Sequence, residues 1–338
     1  MTAPRHTARA TLTPRRATRA AHVITRIPRR ATRAARAACA AVAVVLVLAG
    51  CAETGERAPR VVVTTNILGD VTRAVVGGAA EVTVLMRPDS DPHSFGVSAQ
   101  EAALIEDADL IVYNGLGLEE GVLRNVEAAE DAGVPALAVG EGVDPLRFTA
   151  DESSGKPDPH FWTDPQRMAR AVDLVAAQVI AHVDGVDAAA VRAGAAAYRA
   201  RVEELDGWVR RQVAAIPAAG RLLVTNHHVF GYFAQRYGFE VVGAVIPSGT
   251  TLASPSASDL KSLRDTIRRT KVKAIFADSS QPDRLARVLA SEAGVDVEVV
   301  TLFSESLSRR SPGAATYLDM IRTNTTAIVD GLNGRPSP

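Results

Sequence analysis

Val191-Arg192-Ala193-Gly194-Ala195-Ala196-Ala197-Tyr198-Arg199-Ala200-Arg201-Val202-Glu203-Glu204-Leu205-Asp206-Gly207-Trp208-Val209-Arg210-Arg211-Gln212-Val213-Ala214-Ala215-Ile216 carries a single apolar stripe. Val191, Ala195, Tyr198, Val202, Leu205, Val209, Val213 and Ile216 recur every three or four residues, while Arg192, Arg199, Arg201, Glu203, Glu204 and Arg210 fall on the other faces. That spacing predicts one amphipathic helix of about 29 residues, roughly 43 Å at 1.5 Å per residue. Gly194 and Gly207 lie inside it and weaken it locally, and Pro217 follows its end. A helix of this length can run along two domains.

Both flanks read as α/β. Before the helix, β-branched or apolar runs at 60–65, 82–86, 109–113 and 136–139 predict strands. Helical spacing fills 66–76 until Gly77-Gly78 breaks it. Ser98 is placed to cap a helix through about Asp107. Asp164-Pro165 opens another to about Ala181, with an acid at the N-cap and proline in the first turn. After the long helix, strands are expected at 222–225, 240–246, 274–277 and 297–302. The helices expected between and after them span 229–237, 256–270, 282–293 and 313–332. Alternating strands and helices imply parallel sheets. The expected fold is two parallel-sheet α/β lobes, 60–185 and 217–335, joined by one long rigid helix in 186–216. Ligands of such sheets bind beyond the carboxyl ends of the strands.

The first fifty of the 338 residues read as a leader. They hold ten arginines and no acid, then an apolar stretch over 37–49 ending in Leu48-Ala49-Gly50-Cys51. A basic region, a short apolar core and small residues at a cleavage point make a secretory signal. The apolar run of about 13 residues is shorter than the roughly 20 that span a bilayer. Leu-Ala-Gly-Cys resembles the bacterial lipobox, with Cys51 the lipidated residue and 51–59 a tether. The basic region is long for a signal, and a translation start near Val23 would shorten it. Without the leader, 28 basic residues face 38 acidic ones, about −10. That balance argues against nucleic-acid binding and is compatible with attracting cations. The two cysteines, Cys39 and Cys51, both precede the expected fold, so a metal site in it must use nitrogen and oxygen.

Of the seven histidines, His6 and His22 fall in the leader and four of the rest lie in three loops. Asp91-Pro92-His93 follows a strand, Asp158-Pro159-His160 repeats the tripeptide, and Asn226-His227-His228 follows another strand. Imidazole is the commonest nitrogen donor for zinc and related metals, and three separated loops describe a folded cage rather than a finger. Prolines stiffen the first two loops and hold a donor there at low entropic cost. His227 and His228, adjacent on extended backbone, point apart, so one is the donor and the other faces solvent or a partner. Zinc in a closed site takes four donors. Glu305, after the last strand, is the expected fourth; the competing reading is an N-terminal helix acid behind Ser304. Asp278, at another strand end, is the rival oxygen donor. Asp70 and Asp109 read as surface or cap residues. Trp162 either walls the site or packs in a core. No His-Glu-x-x-His, Gly-x-Ser-x-Gly or phosphate-binding loop occurs, and no base stands beside an open metal position.

Five segments together resemble the zinc/manganese solute-binding proteins of bacterial ABC transporters, the cluster A-I metal-binding lipoproteins. They are Thr65-Asn66-Ile67, Asp91-Pro92-His93-Ser94-Phe95, Asp109-Leu110-Ile111-Val112-Tyr113-Asn114-Gly115-Leu116, Asp158-Pro159-His160-Phe161-Trp162-Thr163-Asp164-Pro165 and residues 227–233. The resemblance is colinear over about 61–332. It implies metal held in the cleft between the lobes by His93, His160, His227 and an acid at the position of Glu305. His227 is favoured over His228 because it stands four residues before Gly231-Tyr232-Phe233. The family's fourth donor is usually Asp, so Glu305 is a departure. A His-rich loop common in zinc members is missing from the short 147–157 stretch, and the second-lobe disulfide of some members cannot form. Manganese members tend to carry an acid at the His227 position.

The resulting expectation is a lipid-anchored, extracytoplasmic, monomeric binding protein and not an enzyme. It would capture Zn(II), three imidazoles and a carboxylate suiting zinc better than Mn(II), and deliver it to a permease with its cytoplasmic ATPase. The alternatives are a Mn(II) or Fe(II) importer component, an extracellular zinc hydrolase, or an adhesin-type lipoprotein.

Overall fold

The computed structural model describes residues 58–309 and 313–335. The leader, the lipobox and Cys51 lie outside the described residues. Among these, no helix is long and apolar enough to cross a membrane.

Two four-stranded sheets form, with all pairings parallel. The first orders its strands β2-β1-β3-β4, with β1 Arg60–Val63, β2 Glu81–Val84, β3 Leu110–Tyr113 and β4 Ala136–Ala138. The second repeats that order as β6-β5-β7-β8, with β5 Leu222–Thr225, β6 Glu240–Ala244, β7 Ala274–Asp278 and β8 Glu298–Leu302. In each sheet the chain reverses its direction of travel beside the strand that comes first in sequence, which opens a crevice at the carboxyl ends. The buried strands are runs such as Val61-Val62-Val63 and Leu110-Ile111-Val112, apolar on both faces because helices cover both.

The first lobe carries α1 Asn66–Val76, α2 Ala99–Glu106, α3 Leu123–Asp131, the short α4 Val139–Gly142 and α5 Pro165–His182. The second carries α7 Gly231–Tyr237, α8 Ala257–Thr270, α9 Arg284–Ala293 and α10 Tyr317–Leu332. Ser98 and Ser256 each complete a reciprocal capping box with the acid three residues on. Asp164 accepts from the Gln166 N–H at the start of α5. Several boundaries differ from expectation by a few residues, and helix α3 was not anticipated. The last helix starts at Tyr317 rather than 313, because Thr316 caps it by accepting from Asp319 N–H. Helix α3 has no side-chain cap, its N-cap position being Val122, so no start signal announces it.

The long helix is α6, Ala188–Val213, 26 residues. Asp187 caps it through the N–H groups of Ala189 and Ala190. The predicted stripe is its buried face, Val191 through Val213, and Ile216 is buried just beyond its end. It packs on α1 and α5 of the first lobe and on α10 of the second. One continuous apolar core therefore runs through it from β1 to α10. Gly194 sits where α6 meets the end of α1. A Cβ there would lie 2.4 Å from the Val75 carbonyl oxygen. Asp70 is not an ordinary surface residue. Its carboxylate accepts from the Tyr317 N–H at 2.9 Å and the Tyr198 hydroxyl at 3.3 Å, tying α1 to α6 and to the start of α10. Burial raises its pKa. Asp109 is not a helix cap either: it accepts from the Arg60 N–H at 2.7 Å, joining the starts of β3 and β1.

Candidate metal centre

Both Asp-Pro-His tripeptides fold the same way. Asp91 Oδ1 accepts the His93 N–H at 2.9 Å and Asp158 Oδ1 accepts the His160 N–H at 3.0 Å. Proline between them offers no competing donor and fixes φ, so the aspartate closes a tight turn that aims the imidazole. His227 leaves the end of β5, and its carbonyl accepts from Thr225 Oγ1 at 2.7 Å and Val229 N–H at 2.9 Å. Glu305 follows β8 in an irregular segment, not a helix.

These turns bring His93, His160, His227 and Glu305 together, with one ligand atom from each within 4.8 Å of all the others. His160 Nε2 stands 3.3 Å from His93 Nε2 and 3.4 Å from His227 Nε2. Glu305 Oε1 is 3.1 Å from His227 Nε2 and 3.6 Å from His160 Nε2, and Oε2 is 3.8 Å from His93 Nε2. His93 is 3% exposed, Glu305 1%, and the other two 0%. Both Glu305 oxygens and His227 Nδ1 are buried without a hydrogen-bond partner. A carboxylate sealed from water with no donor is costly, and a cation among these four side chains would relieve it.

Burial sets the protonation. It lowers His93 and His227 to about 4, with neighbouring carboxylates opposing, and it holds His160 well below the usual histidine range. The imidazoles are therefore neutral and able to ligate. The same burial drives Glu305 well above the ordinary carboxylate range. His160 Nδ1 meets Asp158 Oδ1 at 2.7 Å, which fixes the ring and leaves Nε2 facing the other donors. Burial raises Asp158 itself to about 7.

The two open choices separate cleanly in space. His228 turns away to the surface, where its Nε2 meets Asp151 Oδ2 at 2.6 Å. Asp278 stays outside the group of four; its Oδ1 accepts from Ser280 and its Oδ2 from Ser304, by backbone N–H and hydroxyl in each case. Trp162 does both things expected of it. It is buried with its ring centroid 5.3 Å from that of His160 at an interplanar angle of 72°, and its Nε1 donates to Ser304 O at 2.8 Å across the cleft.

Sequence reasoning missed the supports. Asn114 Nδ2 donates to Pro159 O at 3.0 Å, bracing the His160 turn. Asn114 and Gly115 N–H groups are in turn held by the buried Glu119 carboxylate, at 2.7 and 3.1 Å, together with Thr64 Oγ1 at 2.7 Å. Asn66 and Asn114 stand in similar places, directly beyond buried strands, and that shared position was the available signal.

Residues 61–331 match the family described as zinc-uptake complex component A, periplasmic. The manganese-binding lipoprotein MntA of Halalkalibacterium halodurans is 28% identical over 297 residues, covering 86% of this chain and 96% of the relative. The zinc-binding protein TroA of Treponema pallidum is 31% identical over 278 residues, covering 81% of this chain and 89% of that one. The solved structure of periplasmic zinc-binding TroA superposes with a TM-score of 0.75, over 82% of this chain and 99% of that one. A match that runs through both lobes and the helix between them shows that this chain belongs to the zinc-uptake component A family, the metal-binding solute-binding components of ABC importers.

Proposed function

We propose that this protein captures Zn(II) outside the cytoplasmic membrane and delivers it to an ABC permease driven by a cytoplasmic ATPase. His93, His160, His227 and Glu305 are the ligands in this reading. The chain works as a monomer of two lobes, 60–185 and 217–335, about the 186–216 helix, anchored to the membrane through Cys51. The protein is a transport component and not an enzyme, as its family membership entails.

The donor geometry carries the zinc reading. Four donors at zinc's usual distances of about 2.0–2.1 Å make a tetrahedron with edges of about 3.3–3.4 Å. The two nitrogen–nitrogen separations from His160, 3.3 and 3.4 Å, fit those edges, and the Glu305 oxygens stand on either side of them at 3.1, 3.6 and 3.8 Å from the histidine nitrogens. Three neutral imidazoles also suit zinc better than manganese. The second reading, manganese, has its own support. Both Glu305 oxygens face the histidines, which allows a fifth donor, and relatives such as MntA are named for manganese. Metal analysis of protein purified from medium with balanced trace metals, followed by competitive titration with Zn(II) and Mn(II), separates the two. Stoichiometric zinc is expected; manganese retained in the presence of zinc would overturn the choice.

A further inference from the structure

The two Asp-Pro-His turns are built alike and wired differently. Asp158 spends Oδ1 on its own turn and on the ring of His160. Asp91 divides its oxygens. Oδ1 closes the turn by accepting the His93 N–H at 2.9 Å. Oδ2 faces the second lobe, where it accepts from Thr251 Oγ1 at 2.6 Å and from Gln281 Nε2 at 2.8 Å. Thr251 lies in the loop after β6 and Gln281 in the loop after β7. Asp91 is buried, whereas Thr251 and Gln281 are half-buried at the rim of the cleft.

We infer that Asp91 is a positioning residue for metal retention: it clasps the second lobe through Thr251 and Gln281 with the same carboxylate that aims His93. The inference rests on the metal-binding reading above. With all four candidate ligands buried, an ion leaves only when the lobes part. Parting the lobes breaks the two bonds to Oδ2 and leaves the bond from Oδ1 to His93 intact. The clasp therefore acts on release while the His93 turn stays ready for the next ion. Charge-assisted bonds at a half-buried rim suit that task, since water can replace each donor as the cleft opens.

The test uses the full mature chain, Co(II) as a spectroscopic probe and Zn(II) for kinetics. Thr251→Val with Gln281→Leu removes the clasp and leaves Asp91 and the four ligands in place. Zinc release into excess chelator should quicken by about 10- to 100-fold, the range typical of losing a supporting partner. Association and the Co(II) d–d spectrum should stay as in the unmodified protein. Asp91→Asn keeps an oxygen for the His93 N–H but turns an amide toward Gln281. It should give the same acceleration alone and none further in the Thr251→Val, Gln281→Leu background. Release at the unmodified rate in the double variant overturns the clasp. So does an altered Co(II) spectrum there, which would mean that these residues shape the ligand set rather than its closure. If the unmodified protein takes up neither Co(II) nor Zn(II), the metal-centre reading itself falls, and the clasp falls with it.

Discussion

Asn66 and Ser306, 240 positions apart, share a hydrogen bond of 2.8 Å in which the asparagine Nδ2 donates to the serine Oγ. Asn66 Oδ1 also accepts the Leu307 N–H at 2.9 Å. Two more first-lobe groups hold the same segment: Trp162 Nε1 donates to Ser304 O at 2.8 Å, and Asp89 N–H to Leu307 O at 2.9 Å. Glu305 comes from the second lobe by sequence order, and its neighbours are bonded to both lobes: Ser304, Ser306 and Leu307 to the first, and Ser304 also to Asp278 of the second. His93 and His160 thus belong to the first lobe and His227 to the second, while Glu305 sits on a segment that four bonds hold to the first.

From this division we expect that His227 parts from the ion first. A metal-free open structure should keep Glu305 beside His93, near the present 3.8 Å, while His227 Nε2 moves off from its 3.4 Å approach to His160. Asn66→Ala should weaken zinc binding by about 10- to 100-fold, as loss of a supporting partner does. An open structure in which Glu305 travels with His227 would sink the idea.

Proton release on metal binding should come from Glu305 and not from the histidines. Burial leaves His93 and His227 near 4, so at neutral pH they have no proton to lose. Glu305 is raised well above the ordinary carboxylate range by burial, so it holds its proton to higher pH than an ordinary carboxylate, and a bound cation favours losing it. A proton that competes with the metal makes affinity rise with pH. The slope should be about tenfold per unit below the raised Glu305 pKa, ending above it. Below about 4 the histidines add their own losses and the slope steepens. Calorimetry in buffers of different ionisation enthalpy should find fewer protons released per Zn(II) from Glu305→Gln than from the unmodified protein. Equal proton release from the two proteins would overturn the assignment to Glu305.

His227→Ala and His228→Ala should separate by orders of magnitude despite their adjacency. His227 is fully buried among the donors, and its loss should cost at least about 100-fold in zinc affinity, above the range for a supporting partner. His228 pairs at 2.6 Å with Asp151, whose side chain is 43% exposed. Such a pair contributes at most about 1 kcal/mol, so affinity should change by less than about fivefold. Equal losses in chelator competition would refute the assignment.

The parts of the fold and site that were legible rest on short-range physics. The α6 stripe is a period of 3.6, the strands are apolar runs, and Ser98 and Ser256 announce their helices by capping. The Asp-Pro-His turns were legible because the aspartate bonds a backbone N–H only two residues on. Helix α3, capped by nothing, had no such signal. What stayed hidden depends on packing between distant segments. Asn66 looks like an ordinary polar start to α1, and its partners lie 240 and 241 residues away. Asp70 reads as an outward acid on the same helix until α10 brings the Tyr317 N–H to it. The clasp at Asp91 is of this kind as well, since its partners Thr251 and Gln281 lie 160 and 190 residues on.

The two glycines of α6 give opposite expectations from one helix. By intrinsic propensity, alanine in place of either should stabilise by about 1 kcal/mol. At Gly207 the added Cβ meets nothing nearer than Arg211 Nη1 at 3.5 Å, a flexible tip that yields. Gly207→Ala should therefore raise stability by up to about 1 kcal/mol. At Gly194 the Cβ would lie 2.4 Å from the Val75 carbonyl oxygen and 3.3 Å from both its carbon and the Ala74 oxygen. These are backbone atoms at the end of α1, so relief requires moving that helix off α6. Overpacking of this kind costs about 1–3 kcal/mol, and at 2.4 Å the upper part of that range applies. The steric cost exceeds the propensity gain, and Gly194→Ala should destabilise by roughly 1–2 kcal/mol. Urea denaturation of the two variants beside the unmodified protein measures the contrast. Stabilisation by both would mean that α1 and α6 are free to part, and that the rigidity of the helix joining the lobes does not depend on their close crossing.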